Sequence, residues 1–118
     1  MQLFKFNKEV GKRITKLESN FVINRILHTK SPVQIGCMHL EENGVIGNHQ
    51  ATVPQLLLIT EGEGEVRGRE DNFVKVLKGD AVFWEKDEWH ETVSENGLVG
   101  IEGEDLKPSQ YMQSSVKN

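Results

Sequence analysis

Four side chains in the middle of the sequence, His49, Gln55, Trp84 and His90, have the types and spacing of a small binding site. A neutral imidazole offers one donor, one acceptor and a nitrogen suited to a metal, and its charge switches near neutral pH. The amide of Gln55 adds a carbonyl acceptor and an NH2 donor. If a regular strand runs on from His49, alternation places His49, Ala51, Val53, Gln55, Leu57 and Ile59 on one face, which begins polar and ends apolar. An apolar floor with a few convergent polar groups is what a small-molecule pocket requires. His90 follows the Gly79-Asp80 turn and the segment 81–84, so a neighbouring strand supplies it. Trp84 shares parity with Val82, and its ring either packs in the core or stacks on a ligand at a rim. For His49 and His90 the competing role is a core histidine satisfied by hydrogen bonds. His28 and His39 stand outside the pattern, although His39 turned inward would add a further nitrogen.

Other polar groupings carry less. Gly62, Gly64 and Gly68 have the look of a phosphate loop, but strand-like sequence lies on both sides and no helix N-terminus is available to hold an anion. They are expected to form a turn. Glu85, Asp87, Glu88 and Glu91 form an acidic cluster near the proposed rim, expected as a solvated loop. Ser94 with His90 and these acids lacks the strained elbow that presents a nucleophile. Tyr111 gives no signal.

The elements needed to position the four side chains are strands. Turn signals recur at Asn43-Gly44, Gly62 and Gly64, Gly68, Gly79-Asp80 and Asn96-Gly97. Between them lie short segments rich in β-branched and aromatic residues, at 33–40, 53–60, 73–77, 81–84 and 98–101. Such spacing predicts an all-β sandwich or barrel with little helix. The best helical stretch, 8–17, contains Gly11, Val10, Ile14 and Thr15 without a sustained apolar stripe, and is expected as a turn or strand. Pro54 cannot donate to a ladder, so a bulge or free edge is expected there.

With those residues in view, the chain resembles the cupins, β-barrels of the jelly-roll or double-stranded β-helix type that hold a metal or small molecule between their strands. Their first motif runs G, five residues, HxH, three or four residues, E, six residues, G. Aligned on Gly62, this chain has Gln55 at the Glu, Ala51 at the second His, His49 at the first His and Asn43 at the leading Gly. The second motif runs G, five residues, PxG, two residues, H, three residues, N. Gly79 and His90 match it, while Glu85, Asp87 and Ser94 replace Pro, Gly and Asn. The two motifs cover residues 43–94, and the segments ITEGEGEV and KGDAVFW also look like cupin strand and turn sequence. The resemblance implies a metal site in which His49, Gln55 and His90 would ligate a divalent ion such as iron, manganese, nickel, copper or zinc, with nothing from Ala51. An amide brings no charge to offset the ion. A metal-free pocket in which His49, Gln55 and His90 orient a small polar metabolite is therefore the leading expectation. A metal-dependent dioxygenase- or isomerase-like enzyme and an interaction module with a filled barrel are the alternatives.

Size and charge set the remaining bounds. The 118 residues, 36% hydrophobic and 27% charged, suit one globular domain. Eighteen acidic against fourteen basic residues leave a net charge of -4, which argues against a nucleic-acid partner. Lys5, Lys8, Lys12, Arg13 and Lys16 read as a solvated face. The apolar run Leu56 to Ile59 is too short to span a membrane, and charges from Lys5 onward leave no signal-peptide core, so no membrane attachment or export is expected. A lone Cys37 among apolar neighbours is expected as a buried thiol in a reducing cytoplasm. A strand-like segment at 21–27 would leave an open edge, and pairing of that edge across a two-fold axis predicts a homodimer. The polar stretch 107–118, with Pro108, is expected as a flexible tail.

Overall fold

A computed structural model describes residues 1–105 and 113–114. The chain folds as strands β1 (Gln2–Lys5), β2 (Lys12–Ile14), β3 (Phe21–Ile23), β4 (Gln34–Leu40), β5 (Gly44–Gln50), β6 (Gln55–Arg67), β7 (Val74–Leu77), β8 (Asp80–Trp84), β9 (Trp89–Ser94), β10 (Leu98–Glu104) and β11 (Gln113–Ser114). Among the described residues the helical content is two single 3-10 turns, Lys8–Val10 and Lys16–Glu18, so stretch 8–17 is turn and strand, as its glycine and β-branched residues predict. No helix among the described residues is long and apolar enough to cross a membrane.

The barrel strands pair in antiparallel fashion. One layer has the order β11-β1-β8-β6-β10-β4, and the facing layer pairs β5 with β9, β9 with β6, and β6 with β7. β6 belongs to both layers. Its thirteen residues pair with β8 and β10 at the start and with β7 and β9 at the end. The crossing falls where the register with β10 shifts between Val99 and Gly100. Gly62 lies beside that shift with φ of +80°, and a Cβ there would collide with the carbonyl oxygen of Gly97. The Gly62–Gly64 sequence is thus a bend within one strand, where a turn between two strands was expected. A left-handed residue next to a bulge bends a strand without ending its ladder.

Alternation along β6 sorts two cores. Leu57 and Ile59 point into the barrel with Val66, Val76, Val82, Trp84 and Leu98. Leu56 points outward with Ala81 and Phe83, covered by Phe4, Phe6, Ile26, Leu27, Val33 and Leu58. Both faces of the strand are buried, which is why 56–59 reads as an unbroken apolar run. Fully burying one such side chain stabilises the fold by about 1.5–3 kcal/mol.

Several local expectations are corrected. Within segment 21–27 only Phe21–Ile23 is strand, and it pairs with β2 in a separate hairpin, while Ile26 and Leu27 cover the outer core. The other side of β3 pairs with no strand among the described residues. Pro54 precedes β6, and its carbonyl accepts a hydrogen bond from the Asp105 amide at 2.9 Å, so no ladder is interrupted. Cys37 is exposed, because β4 ends its layer and Cys37 faces outward. Of the predicted tail, Gln113 and Ser114 pair with Lys5 and Phe4; the rest of 107–118, including Pro108 and Tyr111, lies outside the described residues.

Candidate functional site

One end of the barrel is closed by the apolar inner core; the other carries the predicted polar residues. β5 pairs with β9 so that His49 lies opposite His90, with one extra residue inserted in β5 between Ile46 and His49. That bulge brings His49 onto the same inward face as Ile46, three positions earlier. The strand does not continue from His49 to Ile59 as expected. β5 ends at Gln50, and β6 begins at Gln55. Gln55 nonetheless faces inward, opposite Trp84 on β8 and Glu104 on β10.

The two imidazoles are in contact, with ring centroids 4.3 Å apart and planes tilted by 53°. Each is fixed in the same way. His49 Nδ1 donates to the carbonyl of Gly47 at 2.7 Å, and His90 Nδ1 donates to the carbonyl of Glu88 at 3.2 Å. A carbonyl can only accept, so Nδ1 carries the proton in both rings, and Nε2 of the neutral ring is left as a lone-pair acceptor. His90 is 3% exposed and His49 is open to solvent. Burial pushes the His90 pKa down, and the charge of His49 pushes in the same direction, against the Glu88 carbonyl hydrogen bond and the Glu88 charge, which raise it. His90 is thereby held in its neutral, accepting form.

Trp84 is the wall of the site. It stacks on His90 with centroids 4.6 Å apart, and its Nε1 donates to the Arg67 carbonyl at 3.1 Å. It is a buried core residue with its polar atom already satisfied, and its ring packs against His90. Gln55 is 7% exposed, and its amide makes no hydrogen bond among the described residues. Ala51 is buried, its backbone bonded to Glu88 and Asp87.

Sequence reasoning missed two inward carboxyls. Glu102 lies opposite Leu57 and Glu104 opposite Gln55, which places both on the inner face of β10. Burial raises the Glu102 pKa, and the neighbouring Glu104 charge raises it further, while His49 lowers it. The available signal was alternation: Leu98, Gly100, Glu102 and Glu104 share one face once β10 is seen to run past Ile101.

Two other assignments are corrected. His39 does not turn inward. It lies on the outer face of β4, with Nε2 3.6 Å from the Cys37 sulfur, because Met38 takes the inward position. The acidic cluster is not a solvated loop throughout. Glu88 is 1% exposed, and its carboxylate accepts from the Met1 ammonium at 2.8 Å, the Arg69 amide at 2.9 Å and the Glu85 amide at 3.0 Å. Glu91 pairs with Arg67 at 2.6 Å.

Among the described residues no three histidine, cysteine, aspartate or glutamate side chains converge closely enough to hold an ion.

A two-layer antiparallel barrel with a polar mouth between β5, β6, β9 and β10 is the cupin fold, and the chain has that fold. No family model matches the sequence, and no curated protein matches it. Solved structures do. A cupin superfamily protein from Desulfitobacterium hafniense superposes with a TM-score of 0.59 at 14% identity, covering 70% of this chain and 75% of that one. An RmlC-like cupin from Shewanella frigidimarina gives 0.58 at 16% identity, covering 80% and 76%. A predicted oxalate decarboxylase from Thermotoga maritima gives 0.54 at 21% identity, covering 58% and 62%.

Proposed function

We propose that the barrel mouth binds a small, hydroxyl-bearing polar metabolite through His49, Gln55 and His90. The observation that supports this most is the matched anchoring of the two histidines. Both rings are fixed through Nδ1, both leave Nε2 without a donor from the described residues, and the two rings lie in contact, with Gln55 facing inward opposite the Trp84 that stacks on His90. These polar atoms are open enough to meet a solute, since Asn7 Oδ1 is the buried side-chain polar atom left without a partner among the described residues. Acceptors held ready without donors suit a ligand that brings its own O–H groups, while the Gln55 amide serves a hydroxyl as donor or acceptor. The apolar floor of Leu57 and Val82 would take the carbon side of such a molecule. The lone Cys37 thiol, exposed and unbridged, accords with a reducing cytoplasm.

A divalent ion is the second reading, favoured by the same two Nε2 atoms. Iron, manganese, nickel, copper or zinc would meet two imidazoles and a neutral amide there, a set lacking the carboxylate of a facial triad.

The test is nitrogen-15 NMR of the imidazole rings during titration with monosaccharides, polyols and hydroxy acids at millimolar concentration. At least one compound should move the Nε2 resonances of both His49 and His90 and the side-chain amide of Gln55, and Gln55→Leu should weaken that response at least about tenfold. Shifts confined to other residues, or no response across the panel, would overturn the reading.

A further inference from the structure

Edge strands expose unpaired N–H and C=O groups, and proteins usually blunt them with charge, proline, bulges or short length. Two edges of this barrel are blunted. β7 has four residues and carries Lys75, and β5 is broken by its bulge. β4 has none of these devices. Its seven residues, QIGCMHL, contain no charge and no proline. Its register with β10 is unbroken from Gln34 to Leu40, and no strand among the described residues pairs with its other side. Ile35 on this strand is 67% exposed. It stands at the lip of an outer groove of about 370 Å³ lined by Ile26, Leu27, Val33, Leu58 and Ile101.

We propose that β4 is the dimer interface, pairing antiparallel with β4 of a second copy about a two-fold axis through Cys37. The register follows from symmetry. An axis perpendicular to the sheet keeps each inward residue opposite an inward residue, so the axis must pass through a residue position and not between two. Cys37 is the midpoint of Gln34–Leu40, and only an axis through it pairs every residue of the strand. Cys37 then lies opposite the partner's Cys37, and Ile35 opposite the partner's His39. The ladder is about 24 Å long, and the two outer grooves lie on the same side of the joined sheet, so their apolar linings form one belt. A second copy is the occupant this edge fits, because an uncharged strand with unbroken register and no device against pairing is complementary to itself.

The register makes the proposal testable. Light scattering at tens of micromolar under reducing conditions should give twice the 13.4 kDa of one chain, and Ile35→Lys should give a folded monomer. Paired Cα atoms about 4.5–5.5 Å apart lie within disulfide range. Copper phenanthroline, which accepts the two electrons as two thiols lose their protons, should therefore crosslink the wild type and not Cys37→Ser. In the Cys37→Ser background, Ile35→Cys with His39→Cys should crosslink, and Ile35→Cys alone should not. A wild-type monomer, a dimer that fails to crosslink at Cys37, or equal crosslinking of the single and double variants would each overturn the proposal. The cysteine register decides the matter even if Ile35→Lys does not fold.

Discussion

Glu88 and Glu102 are two carboxyls removed from bulk water in different corners of the same barrel, and they are treated in opposite ways. Burial alone would raise the pKa of Glu88, but the Met1 ammonium and the amides of Arg69 and Glu85 more than offset it, and the group sits below its ordinary value. Space around it is closed, and a Cβ on Gly68 would run into its carboxylate. Glu102 has no such donors; burial and Glu104 hold it above its ordinary value. A carboxylate whose lone pairs are satisfied stabilises a fold, whereas one left unsatisfied costs stability and marks a surface kept for something else.

Removing the satisfied acid is the hardest blow to this contrast. Glu88→Gln should lower stability by about 3 kcal/mol, since it leaves a part-buried ammonium without its counter-charge, and thermal melting should show a drop of roughly 10 °C or more. Because the folded pKa of Glu88 is depressed, its contribution is present above the unfolded value and is lost as pH falls through the folded one. The gap between wild type and Glu88→Gln should close in acid melts. A variant as stable as wild type at pH 7 would remove Glu88 from the structural side.

In the mouth, Gln55→Glu sharpens the other side. It adds the missing carboxylate beside two imidazoles, so calorimetry should show zinc or nickel bound at least about tenfold, or about 1.4 kcal/mol, more tightly than by wild type. Adding Ala51→His would crowd a buried site, which makes the single substitution the cleaner probe. No gain would mean that the three side chains do not converge.

Glu102→Gln should stabilise the protein by about 1 kcal/mol at pH 7. Its raised folded pKa means that ionisation costs stability above that pKa and costs nothing below the unfolded one, so the gain should vanish as the melts are carried below about pH 4. His90 shifts the other way. Its depressed folded pKa should remove stability as pH falls from about 6.5 toward that lower value, a slope absent in His90→Phe. Smallest of all, His39→Ala on the outer face should change stability by no more than about 0.5 kcal/mol.

The strands were legible because their turn residues and alternation are local properties. Segment 33–40 and the motif spacing from His49 to His90 needed no tertiary knowledge. The bulge in β5 was not legible, since one inserted residue leaves no trace in composition, nor was the passage of β6 through Gly62, where a turn and a bend share the same glycines. Glu102 escaped because charged residues at a strand end read as solvent-facing. Glu88 escaped because its partner, the Met1 ammonium, lies 87 positions away in the sequence. Cys37 was misplaced because apolar neighbours do not reveal that a strand stands at an edge.

β6 has a consequence for how the chain reaches its fold. Its start pairs with Glu104 and Trp84, its end with Leu77 and Val93, and β1 closes onto Asp80–Phe83 from the far end of the sequence. Among the described residues only the β2–β3 hairpin and the β6–β7 pairing are short-range events. The barrel has to wait for loop closures spanning dozens of residues, which places refolding in the milliseconds-to-seconds range of non-local β topologies. On a ribosome, β6 would emerge with its apolar run uncovered and stay so until β10 follows, an interval of seconds at about 5–20 residues per second.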